Sequence, residues 1–205
     1  NGVSKYQPGT TTWHTYSTQD GLVGNDISAM ANDGSLLWVG TNRDGFCWYN
    51  KTNENWSKPD TSTRLVGKQI KAMAVDLAFT WIVTEEGIYK YAKMSTAFDA
   101  IYRYDNELLA YGGRSLDIRS VAVDDEYIWF AGYNGVLRFE KLNSTWQVFM
   151  IGRHVNGISV DDDCVWFATL DGVNRYNRQN SEWRNYTTAD GLVSNQVLSV
   201  IVDDH

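Results

Sequence analysis

Short runs of aromatic and β-branched residues recur along the chain, separated by turns rich in Gly, Asn and Asp. Such runs, bounded by turn residues, are typical of β-strands. No segment shows a sustained apolar period of 3.6 residues with helix caps, which argues against helices. The pattern therefore predicts an all-β chain.

Trp and Gly residues show that the strands belong to a repeat of roughly 43 residues. The first run of each repeat begins at Ile27, Ile70, Ile118 and Val155, and Val197 takes the same place near the end. The second run carries Trp38, Trp81, Trp129 or Trp166. A turn Gly follows six or seven residues later, at Gly45, Gly87, Gly135 and Gly172. The fourth run begins near a closing Trp, 11 residues after a turn Gly, at Trp13, Trp56, Trp146 and Trp183.

Four strands in a repeat of this length are the unit of a β-propeller, the four-stranded antiparallel blade. We name the strands a to d in chain order. We predict one propeller domain or propeller fragment over 1–205. Its blade repeats are expected at about 26–68, 69–117, 118–154 and 155–195, with 1–25 and 196–205 contributing to a partial or composite blade. Two arrangements stay open: a five-bladed ring closed by the composite blade, and a fragment of a larger ring.

Packing between blades explains why large aromatic residues recur at fixed positions, because neighbouring blades must cover both faces of each sheet. We therefore interpret all nine Trp as inter-blade core. Eight of them have a place in the repeat, and Trp48 does not.

Two segments resemble a known repeat. Residues 183–195 read Trp-x-x-Tyr-Thr-Thr-x-Asp-Gly-Leu-x-x-Asn, and residues 13–25 match them at eight of 13 positions. With Leu-Trp-Val-Gly-Thr-x-x-x-Gly at 37–45, they resemble the two-component regulator propeller repeat. The second and third repeats lack Asp-Gly-Leu and have Lys68 and Leu116 in place of the Asn. The resemblance implies an extracellular or periplasmic sensor domain, of a kind in which some members bind oligosaccharides.

Composition and charge exclude several classes of partner. The net charge is −7 and Lys and Arg form no runs, so we expect no nucleic-acid partner. No apolar run approaches the roughly 18 residues of a membrane span, so we expect no membrane insertion within this segment. The chain begins without Met or a signal-peptide pattern, so we expect a mature or excised segment. Cys47 and Cys164 fall on different blades and are predicted to be buried hydrophobes.

Catalytic and metal-binding motifs are missing from the sequence. It has no His-Glu-x-x-His, Cys-x-x-Cys or Gly-x-Ser-x-Gly pattern, and its three His are sparse. The Asp-rich a–b turns, such as Asp33, Asp124-Asp125 and Asp161-Asp162-Asp163, favour turn chemistry over a calcium site, which needs six or more oxygen ligands. We therefore predict a protein that is not an enzyme and has no cofactor or metal. A propeller lyase or glycosidase is the alternative.

Loops that break the repeat pattern are the best candidates for a binding site. They are an insertion at 42–44, a long region within 97–116, a shortened loop at 152–154 and the turn at 133–134. The candidate ligand-binding residues are Arg43, Asp44, Arg114, Tyr133, Asn134, Arg153 and His154. Arg forks and aromatic rings suit an anionic or sugar ligand. We predict a non-catalytic propeller that binds a carbohydrate or protein ligand. The alternative is an assembly protein that self-associates through its terminal strands.

Four Asn-x-Ser/Thr sequons suit the outer rim of an exported glycoprotein. Three lie in or beside c–d connections and one lies on a strand d: Asn50, Asn55, Asn143 and Asn185.

Overall fold

The computed structural model describes residues 2–60, 62–103, 117–150 and 152–203, which form four four-stranded sheets and one two-stranded sheet, all antiparallel. The all-β fold with four-stranded propeller-like blades is therefore confirmed. The chain divides into two compact units, Asn1–Arg103 and Tyr104–His205. The single domain, the closed five-bladed ring and the larger ring all stay predictions.

The first unit contains a hairpin and two blades. The hairpin pairs β1 (Val3–Gln7) with β2 (Thr12–Tyr16). Blade 1 contains β3 (Ile27–Asn32), β4 (Leu36–Thr41), β5 (Phe46–Asn50) and β6 (Asn55–Ser57). Blade 2 contains β7 (Ile70–Val75), β8 (Phe79–Thr84), β9 (Gly87–Ala92) and β10 (Ala97–Arg103). Two 3-10 turns lie at Thr18–Asp20 and Ser62–Leu65.

The second unit contains two further blades. Blade 3 contains β11 (Ile118–Val123), β12 (Tyr127–Gly132), β13 (Gly135–Glu140) and β14 (Thr145–Phe149). Blade 4 contains β15 (Val155–Val160), β16 (Cys164–Thr169), β17 (Gly172–Asn177) and β18 (Trp183–Tyr186). A 3-10 turn lies at Thr188–Asp190. Within the described part of the chain, no helix has the length and apolar character that a membrane span requires.

The first strands of the four blades begin at the predicted residues, but two other sequence-based expectations were wrong. Residues 196–203 form no strand. They lie beside β15, where the Asn156 side-chain amide donates to the Val197 carbonyl at 2.8 Å and the Ser159 hydroxyl accepts the Val202 amide at 3.0 Å. Strand a of each blade pairs with strand b of the same blade. Residues 196–203 have no such partner among the described residues.

The second error concerns the long region within 97–116, which we expected to be a loop. Its first part, Ala97–Arg103, is the fourth strand of blade 2. Phe98 stands 11 residues after Gly87 and so takes the position that a closing Trp has in the other blades. Its ring lies 5.5 Å from that of Tyr91, against the core of blades 1 and 2. Residues 104–116 lie outside the described residues.

Trp residues on the second strands form the centre of the core. Trp38, Trp81 and Trp129 are at most 1% exposed. Trp48, which has no place in the repeat, packs on Trp38 with ring centroids 5.0 Å apart. The expectation that all nine Trp are core was wrong, because Trp13 is 68% exposed and Trp183 is 42% exposed. Both free cysteines, Cys47 and Cys164, are buried as predicted.

An aspartate in each a–b turn accepts a hydrogen bond from the strand b Trp of the same blade, which is buried in blades 1 to 3 and half-buried in blade 4. The Asp–Trp pairs, from the carboxylate Oδ2 to the indole Nε1, are Asp33–Trp38 at 3.3 Å, Asp76–Trp81 at 3.0 Å, Asp124–Trp129 at 2.8 Å and Asp161–Trp166 at 2.7 Å. The other oxygen, Oδ1, accepts backbone N–H groups of the turn. These aspartates therefore perform turn chemistry and also satisfy an indole that burial removes from water.

Cations of the following blade bind two of these aspartates. Lys93 Nζ lies 3.0 Å from Asp33 Oδ2, and Arg178 Nη1 lies 3.2 Å from Asp124 Oδ2. Burial raises the pKa of Asp33, but hydrogen bonds from the Leu36 amide, Lys93 and Trp38 outweigh it, and the net pKa is lowered. The pKa of Asp161 is lowered in the same way, since the donors around its carboxylate outweigh its burial.

We expect Asp161→Asn to lower the free energy of unfolding by about 1–3 kcal/mol, because an amide cannot accept from the turn amides and the Trp166 indole together. Urea unfolding followed by Trp fluorescence measures the change. Asp162→Asn is the matched control, since Asp162 is the exposed neighbour in the same turn. Equal losses in the two variants would contradict the role of the Asp–Trp bond.

We also expect the urea midpoint to fall as the pH drops below about 4, the ordinary pKa of an unfolded Asp. The pKa values of Asp33 and Asp161 are depressed in the folded chain. Their stabilising contribution is therefore complete above the unfolded pKa and is lost as the pH falls through the folded pKa. Urea titrations at several pH values test this, and Asp161→Asn should show a shallower acid dependence than Asp162→Asn.

Candidate functional site

Four of the predicted site residues lie together in the second unit. The rings of Tyr133 and His154 are 4.8 Å apart and tilted by 56°. Asn134 lies beside Tyr133 in the turn between β12 and β13, and its carbonyl accepts the Gly152 amide at 3.0 Å. This bond holds the connection from β14 to β15, which carries Arg153 and His154, against that turn.

Asp171 joins this group from blade 4 and was not among the predicted residues. Its Oδ2 lies 3.4 Å from Arg153 Nη1. The two side chains are 72% and 51% exposed, so the pair is accessible to solvent. The Asp171 position could have been found in the sequence, because it occupies the same b–c turn in blade 4 as Asn134 does in blade 3. We call the residues Tyr133, Asn134, Arg153, His154 and Asp171 the Tyr133 face.

The blade scaffold determines where these turns lie. Thr169, at the end of β16, is buried; its hydroxyl donates to the Gly172 carbonyl at 2.8 Å and accepts the Asp171 amide at 3.1 Å. Thr41 in blade 1 makes the same two bonds, to the Gly45 carbonyl and from the Asp44 amide, each at 2.8 Å. The Thr at the end of strand b therefore holds the backbone of the b–c turn, and the exposed side chains of that turn can differ from blade to blade.

Arg43 and Asp44, also predicted site residues, belong to the first unit. The Arg43 carbonyl accepts the Gly67 amide at 2.6 Å, and Asp44 forms an isolated β-bridge with Val66. A Cβ built on Gly24 would lie 2.1 Å from Asp44 Oδ2, so the carboxylate packs directly over this glycine. This packing gives Asp44 a structural role. The remaining predicted residue, Arg114, lies outside the described residues.

The Tyr133 face combines an aromatic surface with polar groups of balanced charge. Tyr133 is 55% exposed, which leaves ring surface open for stacking. Next to it, the Arg153 cation is paired with a carboxylate, so the two together offer donors and acceptors without strong net charge. His154 Nε2 is buried and makes no hydrogen bond within the described ranges. Such a surface can stack against an apolar ring face and exchange hydrogen bonds with hydroxyl groups.

Metal ligands do not cluster in the part of the chain that the structure describes. In residues 2–60, 62–103, 117–150 and 152–203 there is no group of three or more His, Cys, Asp or Glu side chains that could hold a metal ion.

The four sequon residues differ in accessibility. Asn55, Asn143 and Asn185 are exposed, although the Asn185 amide donates to the Asp171 carbonyl at 3.3 Å. Asn50 is half-buried at the end of β5, and its Oδ1 accepts the backbone amides of Thr52 and Asn53. Asn50 therefore already has a turn-forming role. Glycosylation stays a prediction at all four positions.

Comparison with known proteins shows the fold. No family model matches the chain, and no curated protein matches it. A solved extracellular domain assigned to a one-component system, BT4673 of B. thetaiotaomicron, is similar with a TM-score of 0.74 and 15% identity, over 99% of this chain and 28% of that one. The extracellular domain of a hybrid two-component system, BT3049 of the same organism, has a TM-score of 0.65 and 16% identity, over 89% and 27%.

The likeness extends to a computationally designed protein, Ika8, with a TM-score of 0.60 and 10% identity over 96% of this chain and 57% of the other. Of the two natural domains, by contrast, this chain spans about a quarter of the length. Similar folds occur in sensor ectodomains and in designed proteins alike, so function has to be argued from the site.

Proposed function

We propose that this chain is a non-catalytic, extracytoplasmic propeller segment of a sensor-like ectodomain that binds a neutral carbohydrate through the Tyr133 face. The exposed Tyr133 ring beside the Arg153–Asp171 pair carries the proposal. Membership of the two-component regulator propeller repeat family belongs to the same proposal, and the repeat residues at 13–25 and 183–195 support it.

A neutral sugar fits the Tyr133 face better than an anion. Sugar rings have apolar faces that stack on aromatic side chains, and hydroxyl groups that use mixed donors and acceptors. An anion would have to compete with Asp171 for Arg153 and would be repelled by the Asp171 carboxylate. This favours a hydroxyl-rich ligand over a phosphate or carboxylate ligand.

Location outside the cytoplasm is supported by two independent observations. The similar natural structures are extracellular domains of bacterial regulatory systems. Three of the four sequon Asn side chains are exposed.

A non-catalytic role agrees with the chemistry of the Tyr133 face. Glycoside hydrolysis typically uses a pair of carboxylates that flank the scissile bond. The Tyr133 face offers one carboxylate, that of Asp171. The enzyme alternative, a glycosidase, would need a second carboxylate facing Asp171, and the described residues of the Tyr133 face supply none. Turnover of any member of a polysaccharide panel by the purified chain would overturn the non-catalytic proposal.

Binding to a glycan array followed by calorimetry with the best oligosaccharide tests the site. We expect Tyr133→Ala to weaken binding by roughly tenfold, which corresponds to about 1.4 kcal/mol, because the stacking surface is lost. Tyr133→Phe keeps the ring and should bind almost as the parent chain does. Arg153→Ala should also weaken binding, since it removes donors and leaves Asp171 unpaired.

The matched control is Arg184→Ala. Arg184 is also exposed and lies 3.9 Å from a carboxylate, that of Asp190, but it belongs to the fourth strand of blade 4. Binding that survives both Tyr133→Ala and Arg153→Ala, or that is lost equally in Arg184→Ala, would contradict the proposed face.

A further inference from the structure

Two connections between neighbouring blades have the same backbone frame. The connection from blade 1 to blade 2 and that from blade 3 to blade 4 each end in a Gly, a cation and one variable residue before strand a. The glycines are Gly67 and Gly152, with φ angles of 84° and 80°. The Gly67 amide donates to the Arg43 carbonyl at 2.6 Å, as the Gly152 amide does to the Asn134 carbonyl at 3.0 Å. The two places can therefore be compared residue by residue.

A cation and a carboxylate meet across each of these junctions. Lys68 Nζ pairs with Glu86 Oε1 in the b–c turn of blade 2, as Arg153 pairs with Asp171 in that of blade 4. Thr84, at the end of β8, holds the turn in blade 2, because its hydroxyl accepts the Glu86 amide at 3.1 Å. The strand b Thr of blade 4 makes the same bond to the Asp171 amide. Both junctions thus present a charge-balanced pair at the same position.

The side chains differ at two positions of this common frame. The first turn residue after strand b is Tyr133 in blade 3 and Asn42 in blade 1, and the residue before strand a is His154 in one case and Gln69 in the other. Gln69 Nε2 donates to Asn42 Oδ1 at 3.0 Å. An amide pair therefore takes the place of the ring pair. We call this group the Asn42 face: Asn42, Arg43, Lys68, Gln69 and Glu86.

The polar groups of the Asn42 face suit hydroxyl groups. Each carboxamide has two N–H groups and a carbonyl oxygen, so the pair keeps donors and acceptors beyond its mutual bond. Gln69 is exposed and Asn42 is half-buried. The Tyr89 hydroxyl donates to Glu86 Oε2 at 3.4 Å, so both carboxylate oxygens of Glu86 are held in place. These groups can exchange hydrogen bonds with a ligand, but none of them offers a ring for stacking.

We propose that the Asn42 face is a second carbohydrate site, which binds a neutral, hydroxyl-rich sugar through hydrogen bonds. The ligand class rests on the function proposed for the Tyr133 face, whereas the location rests on the shared frame. Binding is weaker than at the Tyr133 face, because no aromatic ring stacks on the sugar. Each of the two compact units then carries one carbohydrate site.

Nuclear magnetic resonance on the full, ¹⁵N-labelled chain tests the proposal. The probes are maltohexaose, cellohexaose and xylohexaose, each titrated into the millimolar range. We expect the side-chain amide signals of Asn42 and Gln69 to shift together with at least one probe and to give one dissociation constant. The shifts should persist in Tyr133→Ala, because that residue belongs to the other site.

Gln69→Ala should raise the dissociation constant measured at the Asn42 amide by about three- to tenfold, which is the range for one lost hydrogen bond. Gln179→Ala is the matched control. Gln179 is also an exposed glutamine whose Nε2 donates to a side-chain oxygen, that of Asp163 at 2.6 Å, but it lies in the c–d turn of blade 4. This variant should bind as the parent chain does.

A gain of binding gives the sharper test. Asn42→Tyr combined with Gln69→His places the rings of the Tyr133 face on the equivalent frame and should lower the dissociation constant by about tenfold, since stacking is added. An amide pair with a purely structural role predicts no gain. If thermal melting shows that the double variant unfolds, Asn42→Tyr alone replaces it.

The outcomes separate this inference from the function proposed above. In the parent chain, amide signals at Asn42 and Gln69 that stay still while the Asn134 amide responds would overturn the second site and leave the Tyr133 face standing. A response at Asn42 and Gln69 with a silent Asn134 would support the second site and count against the Tyr133 face. Shifts that neither Gln69→Ala nor the ring substitutions alter would also overturn the second site.

Discussion

The hydrogen bond from a Trp indole to the aspartate of the a–b turn is the interaction on which every blade depends. A buried indole N–H needs an acceptor, and the turn carboxylate supplies one to the buried Trp of blades 1 to 3 and to the half-buried Trp166 of blade 4. The same carboxylate closes the turn through its second oxygen. In two blades it also receives a cation from the next blade. The a–b turn and the Trp of strand b are therefore joined at one side chain per repeat, and in two blades the contact with the next blade is made there as well.

With the blade frame held in this way, the turns at its edge can carry different side chains at little cost to the fold. A buried Thr at the end of strand b holds the turn backbone in blades 1 and 4 alike. On that common support, Asp44 packs over Gly24, whereas Asp171 faces solvent beside Arg153. Binding sites on propellers arise from this separation between a repeated scaffold and variable turns.

Parts of the candidate site could be predicted because they break the repeat. Arg153 and His154 stood in a shortened loop, and the structure brings them beside the turn that carries Tyr133 and Asn134. Asp171 was missed although it occupies the same b–c turn in blade 4 as Asn134 does in blade 3, and the approach of Arg153 gives it a role. The fourth strand of blade 2 was missed because Phe98 replaces the expected Trp.

Sequence alone determined the four blades, their a–b turns and the core positions of Trp38, Trp81 and Trp129, because each follows from local pattern and local hydrogen bonding. Leu22 and Leu192 show that the sequence alone does not determine which equivalent residues are buried. Their surrounding sequences are nearly the same and their capped turns are alike, yet one leucine is buried and the other lies at an open cavity. Burial depends on which blade stands next to a residue, and only the tertiary structure decides that.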